Sequence, residues 1–227
     1  MIEKGYQECY IAFLDLLGFK NLVSNNKLDE ILEIYKAIQN DNIDYLVLNN
    51  EELTERDAVK MKIMSDSICV YVNKNCKNAF LSIVAWCVYF QAKLLECSQP
   101  IFLRGAITLG NIYAKDDITF GTGVINAYLM EEKVAKNPRI IFSRQIVSEA
   151  LINIDINAQI ALKRIIFEDK DKLWSVNYLG FIKDLGKFTL LSNLKDFVED
   201  KLASNSMEYF DTSIRDKYLY VLDHINK

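Results

Sequence analysis

Twelve consecutive residues, Ala79 to Phe90 (AFLSIVAWCVYF), form an almost wholly apolar run, and few folds can house such a run in water. The run falls short of the roughly 20 apolar residues that cross a bilayer, and Gln91 and Lys93 come directly after it. The spacing predicts a helix buried on most sides, from Lys77 to Glu96 and stopped before Pro100. Such a helix must be covered by other elements. A chain of 227 residues that is 51% hydrophobic and 26% charged has the apolar surface to do so as one domain with an appendage. With Gly and Pro together at ten residues, collagenous and low-complexity readings are excluded.

The charge pattern removes several functions. A net charge of -4 with both signs interspersed offers no broad basic field, so a nucleic-acid polymer is not the expected partner. The five cysteines (Cys9, Cys69, Cys76, Cys87, Cys97) form no CxxC pair and fall mostly in apolar segments, where a free thiol acts as a small hydrophobe. The single histidine, His224, rules out Ser-His-Asp and Cys-His triads, His-rich zinc sites and HD-type phosphohydrolases. Chemistry in this chain must run on carboxylates, lysines, arginines, tyrosines and oxygen-held metals. The opening Met1-Ile2-Glu3-Lys4-Gly5 lacks the charged and apolar regions of a secretory leader, so a cytoplasmic protein with no membrane partner is expected.

Gln7 to Phe19 (QECYIAFLDLLGF) reads as a first strand closing at Gly18, and Leu28 to Leu48 as a helix with Asp29 and Glu30 at its start. Val59 to Val72 alternates on both sides of Ser65-Asp66-Ser67, which predicts a hairpin with the aspartate at its turn. Ile101 to Tyr113 reads as a strand or a strand pair broken at Gly105 and Gly110. Val124 to Ala135 reads as a helix and Arg139 to Phe142 as a short strand. The order β-α-β-β-α-β-α-β predicts an α+β fold with a ferredoxin-like βαββαβ core, helices covering one face of a mainly antiparallel sheet. Residues 1–153 form this core. Residues 154–227 are read as a C-terminal α/β extension packed on it, with strands near Arg164 to Phe167 and Trp174 to Tyr178 and a helix from Met207 to Ile225.

Asp15 stands inside an otherwise apolar strand, where a carboxylate costs several kcal/mol unless it meets a cation, a metal or backbone donors. Asp66 lies at the turn of the hairpin expected to pair with that strand. Two carboxylates converging on one edge repel unless a divalent cation lies between them, and Mg²⁺ takes one or two carboxylates together with substrate phosphates. The alternative is that both aspartates only cap backbone turns.

Four ordered motifs between Tyr10 and Ser143 resemble the catalytic domain of class III nucleotide cyclases. Phe13-Leu14-Asp15-Leu16-Leu17-Gly18-Phe19 resembles the family's F-x-D-x-x-G-F metal motif, and Lys62-Ile63-Met64-Ser65-Asp66 its K-x-x-G-D hairpin. Arg104 to Gly110 resembles its R-x-G-I-x-x-G strand. Gly121 to Ala127 with Met130-Glu131 resembles its G-x-x-V-N-x-A-x-R-M-E helix. The resemblance implies two Mg²⁺ or Mn²⁺ per active site, held by Asp15, Leu16 and Asp66. It implies catalytic roles for Asp15, Asp66, Arg104 and Asn126, and substrate contacts from Leu16, Gly18, Phe19 and Lys62. Backbone donors from Leu16 to Phe19 are expected to meet phosphate oxygens, with Phe19 against the sugar or base.

The departures carry information too. The family's transition-state arginine falls on Leu129 or Met130, so Arg104 or Lys133 must replace it or the domain is silent. Its acidic purine reader falls on Ile118, and a site lacking that partner discriminates against the base that needs it. The chain is most similar to the bacterial pyrimidine cyclases of Pycsar antiphage systems. That resemblance implies UTP converted to cyclic UMP, a homodimer with shared active sites, and a separate cyclic-nucleotide-responsive effector protein. CTP converted to cyclic CMP, a purine cyclase, or a silent nucleotide-binding or dimerisation module are the alternatives. A diguanylate cyclase is excluded because Met64-Ser65-Asp66-Ser67-Ile68 supplies no GG-acid-acid-F turn. Tyr71, Phe80, Trp86, Tyr89 and Phe90 are expected in the core or on a dimer surface, and Glu131-Glu132-Lys133 on a solvated helix face.

Overall fold

Both faces of β1 (Gln7–Leu16) are apolar and both are buried, as expected of a central strand covered on two sides. The computed structural model describes residues 5–39, 47–48, 51–52, 58–116, 118–204 and 212–227. After β1 come α1 (Phe19–Ser24), α2 (Leu28–Gln39), the two-residue strands β2 (Val47–Leu48) and β3 (Glu51–Glu52), and the hairpin β4 (Lys60–Met64) and β5 (Ser67–Asn73). Next in the chain are α3 (Ala79–Leu94), β6 (Leu103–Lys115), β7 (Ile118–Phe120), α4 (Thr122–Lys133) and β8 (Ile140–Phe142). The rest comprises α5 (Arg144–Ile152), α6 (Ile156–Ile165), β9 (Ile166–Glu168), β10 (Trp174–Val176), α7 (Tyr178–Asp184), α8 (Phe188–Ser204) and α9 (Thr212–Ile225).

The main sheet runs β4-β5-β1-β6-β8-β10-β9, with β7 on the far part of β6. All pairs are antiparallel except β6 with β8. Strands β4, β5, β1 and β6, joined through α2 and α3, make the predicted α+β core, and β10 continues the same sheet through β8. The predicted buried helix is α3, in which every residue except Tyr89 and Lys93 is buried, because it lies between the sheet and α2, α6 and α7. Gln91 at its end donates to the Ile101 carbonyl at 3.0 Å and accepts from the Leu103 N–H at 2.6 Å, so the buried turn into β6 keeps its backbone groups paired.

Helices cover both faces, not one. Tyr10, Ala12, Leu14 and Leu16 face the core built on α3, whereas Cys9, Ile11 and Phe13 face α4. The strand predicted to break at Gly105 and Gly110 runs unbroken, and its glycines serve close approach instead of a turn. A Cβ on Gly110 would sit 2.7 Å from the Cα of Gly123, where α4 crosses β6 backbone to backbone, and the Thr108 hydroxyl fixes that crossing by donating to the Gly123 carbonyl. The first strand ends at Leu16, earlier than predicted: Gly18, at φ 85, turns the chain so that Phe19 begins a helix. The helix predicted to reach Leu48 is described to Gln39, and Val47–Leu48 is strand. Of the predicted terminal helix, the part before Thr212 lies outside the described residues.

Among the described residues after 153 there are four helices, of which only the last was expected. Helices α7, α8 and α9 build a second core around Leu179, Ile182, Leu194 and Val198, into which Phe102, Leu17 and Tyr218 pack. That core sits where β1 ends. Cys9, Cys69 and Cys87 are buried thiols, and burial pushes Cys9 and Cys69 up to about 12. No described helix is long and apolar enough to cross a membrane.

Candidate active site

Asp15 is the second-last residue of β1, opposite Ser67 of β5 on one side and Arg104 of β6 on the other. The β4–β5 hairpin turns through Ser65, at φ 59, and Asp66. The Leu16 N–H donates to the Asp66 carbonyl at 2.9 Å, which ties the turn to the end of β1. The two sequence-predicted aspartates are thereby brought to one end of the sheet, and the Asp66 charge acts on Asp15.

Arg104 stands between two carboxylates. Its Nη2 is 3.2 Å from Asp15 Oδ2 and 2.5 Å from Glu131 Oε1. Burial pushes the Asp15 carboxyl above its ordinary range; Arg104 and Lys217 pull it down, Asp66 pushes it further up, and the upward causes prevail. Glu131 is also raised, by burial first and by Asp15, against the pull of Arg104. The Glu131 contact is a close ion pair, and Arg104 Nε is buried without a hydrogen-bond partner among the described residues. The cluster retains unmet bonding capacity.

Glu131 corrects the sequence expectation of a solvated face, for it is 4% exposed. Its signal was present: Gly123, Ala127 and Glu131 recur every fourth residue, and the two small residues mark the face of α4 that lies on the sheet. Lys217 of α9 had no such signal. It is placed by tertiary packing, since the Tyr218 ring lies 6.5 Å from that of Phe102, whose carbonyl accepts the Leu17 N–H at 2.9 Å. The α9 helix thus lies beside the turn that leaves β1.

The Leu16 side chain is in the core and its N–H is taken by Asp66, while that of Leu17 is taken by Phe102. Of the stretch expected to cradle phosphate, Gly18 and Phe19 are left with amides that meet no carbonyl among the described residues. The Phe19 ring is buried against Tyr35, whose hydroxyl donates to the Ser65 carbonyl at 3.1 Å. Lys62 donates to the Asp116 carbonyl at the turn after β6. Asn126 is exposed on α4, and Ile118 is 58% exposed on β7.

Among the described residues no three His, Cys, Asp or Glu side chains group as a metal cage. Asp15 and Asp66 offer two carboxylates, the donor set that a Mg²⁺ or Mn²⁺ ion shares with a bound triphosphate. The residues therefore fit an ion that arrives with its substrate.

No family model matches the sequence, and no curated protein matches it. Three solved structures are similar in fold. An adenylate/guanylate cyclase/hydrolase from Silicibacter pomeroyi is 16% identical, with a TM-score of 0.43 over 75% of this chain and 96% of that one. A class III adenylyl cyclase-like ATP-binding protein from Pseudomonas aeruginosa is 12% identical, with a TM-score of 0.44 over 79% of this chain and 40% of that one. The catalytic core of a rhodopsin-guanylyl cyclase with converted specificity, in complex with ATPαS, is 14% identical, with a TM-score of 0.41 over 75% and 96%.

Proposed function

We propose that this chain is a pyrimidine nucleotide cyclase that converts UTP to 3′,5′-cyclic UMP and diphosphate, a second messenger in antiphage defence read by a separate effector protein. The observation that carries the reading is the juxtaposition of Asp15 and Asp66 across the hairpin-to-β1 contact, with their charges opposing each other and Arg104 beside them. In the reaction the ribose O3′ attacks the α-phosphorus. The O3′–P bond forms, the bond from the α-phosphorus to the β-phosphate oxygen breaks, the O3′ proton passes to water, and diphosphate leaves. Most of the catalysis is positioning and charge neutralisation.

Asp15 and Asp66 would hold the divalent ions, Mg²⁺ or Mn²⁺, which when bound make the 3′-hydroxyl more acidic and neutralise the leaving phosphates. Arg104, with no arginine at Leu129 or Met130, is the guanidinium at hand for the α-phosphate. Lys217, whose charge acts on Asp15, supplies a second cation on the triphosphate side, and the Gly18 and Phe19 amides supply donors. The exposed apolar Ile125 and Tyr128 lie on α4, the helix that brings Glu131 to this cluster, and Ile118 and Phe120 lie on β7 at the far end of β6; these apolar faces support a homodimer that shares its sites and brings Asn126 to the partner's nucleotide. The apolar Ile118 removes the acidic purine contact and so favours a pyrimidine.

Purified protein incubated with Mn²⁺ or Mg²⁺ and each of the four ribonucleoside triphosphates tests this, with products identified by mass and by phosphatase resistance. Cyclic UMP, lost in Asp66→Asn, is the expected result. Cyclic CMP would move the assignment to CTP, cyclic AMP or GMP would overturn the inference from Ile118, and metal-dependent binding without product would make the domain a silent module.

A further inference from the structure

A cleft of about 410 Å³ opens between the β9–β10 hairpin, the start of α7 and the last turns of α9, a size usual for small-ligand sites. None of Asp15, Asp66, Arg104 or Glu131 lines it. Its deep end is built. Asp169, 8% exposed, accepts from Arg139 Nη1 and from the Tyr220 hydroxyl, each at 2.7 Å, and from the Lys170 N–H. A carboxylate has about four lone-pair sites, so Asp169 keeps capacity on Oδ1, where His224 Nε2 stands 3.8 Å away. Arg139 is 4% exposed, and its Nε has no hydrogen-bond partner among the described residues.

The walls are aromatic. His224 lies 4.1 Å from the Tyr220 ring and 5.6 Å from the Phe167 ring. The mouth is basic: Lys170 and Lys227 share the single Asp223 carboxylate at 3.0 Å each, and Lys183 donates to the Ile225 carbonyl at 3.3 Å with no carboxylate partner among the described residues. From depth to mouth the cleft therefore offers an acceptor, then ring faces, then cations.

We propose that this cleft binds a nucleoside monophosphate. A base carrying N–H donors meets Asp169, its ring packs on His224 and Phe167, and its phosphate pairs with Lys183 and the two lysines that share Asp223. The proposal stands whether or not the chain is a cyclase. Calorimetric titration of the full chain with UMP and with AMP, in EDTA to silence the metal-dependent site, tests it. Inorganic phosphate is the ring-free comparator. At least one nucleotide should bind with a Kd of about 0.1–1 mM, unchanged in Asp66→Asn and weakened about tenfold in Lys183→Ala and in His224→Ala. Circular dichroism checks that both cleft variants fold. Amide shifts on titration should concentrate at Asn177 to Gly180 and Tyr220 to His224, a readout that needs no variant. The proposal is overturned if neither nucleotide binds by about 10 mM, if inorganic phosphate binds as tightly, or if affinity falls in Asp66→Asn but not in the cleft variants.

Discussion

Arg104 stands between Asp15 and Glu131 where the central strands end, and Arg139 stands between Asp169 and Asp171 beneath the C-terminal helix. The charges are the same in number and sign, yet Asp15 and Glu131 are pushed above the ordinary carboxylate range while Asp169 and Asp171 are held below it. The difference lies in donors. Burial raises Asp169 too, but the Tyr220 hydroxyl and the Lys170 N–H outweigh it, with Arg139 adding to them. Asp171, bonded mainly by Arg139, gains the Leu173 N–H. Among the described residues Asp15 takes one hydrogen bond, from Arg104, and the pull of the Lys217 charge, and it faces the like charge of Asp66. A guanidinium thus completes one cluster and leaves the other wanting positive charge, and a cluster left short is where an incoming metal ion and phosphate have most to gain.

The largest test of this contrast removes each arginine. Arg139→Met strands Asp169, a carboxylate as deeply buried as its partner, and should cost about 3–5 kcal/mol in urea denaturation at neutral pH. Arg104→Met should cost clearly less, because Asp15 and Glu131 are already inclined to take up protons. Equal losses would mean that both arginines are merely structural.

Next in size is Asp66→Asn. Cyclisation should fall about 100-fold or more, about 2.7 kcal/mol in the barrier. The same change removes a like charge, so the Asp15 carboxyl should titrate lower by carbon-13 NMR. An Asp15 titration that does not move would show that the hairpin carboxylate and Asp15 act separately, against the reading of a shared site.

The contrast also marks what the sequence could disclose. Asp15 was legible because an acid in an apolar strand needs a partner, and Asp66 because the alternation around Ser65 to Ser67 fixes a hairpin. Both signals are local in the chain. Glu131 was half legible, its position every fourth residue after Gly123 and Ala127 outweighed by the charged neighbours Glu132 and Lys133. The Arg139 cluster was not legible, since Asp169 lies 30 residues from Arg139 and 51 from Tyr220, and the three meet only through β8–β10 pairing and α9 docking. The unbroken β6 shows the same limit: Gly110 reads as a breaker until the crossing of α4 at Gly123 is known.

Lys217 sharpens the comparison on the side of substrate. If α9 supplies a phosphate-side cation, Lys217→Ala should raise KM for the triphosphate about tenfold, about 1.4 kcal/mol, with kcat little changed. Lys217→Arg should restore most of it. A loss confined to kcat, or no rescue by arginine, would assign Lys217 to packing of α9 beside Phe102. A wild-type chain without turnover would instead remove the cyclase reading itself.

The smallest effect separates the clusters by sign. Glu131, raised in the folded chain, adds stability as its protonated form; that contribution is full below its ordinary 4.5 and is lost as pH rises through the folded value. Asp169, lowered, adds stability as its ionised form; that contribution is present above its ordinary 3.8 and is lost as pH falls through the folded value. Glu131→Gln should therefore flatten the decline of stability above the ordinary glutamate range and leave the protein about 1 kcal/mol more stable at neutral pH. Asp169→Asn should lower stability at neutral pH, and the deficit should shrink on acidification. Urea midpoints measured across the acid range read both slopes. If the two variants shift stability in the same direction with pH, the donors counted around each carboxylate do not control its charge, and the contrast between the two arginine clusters fails.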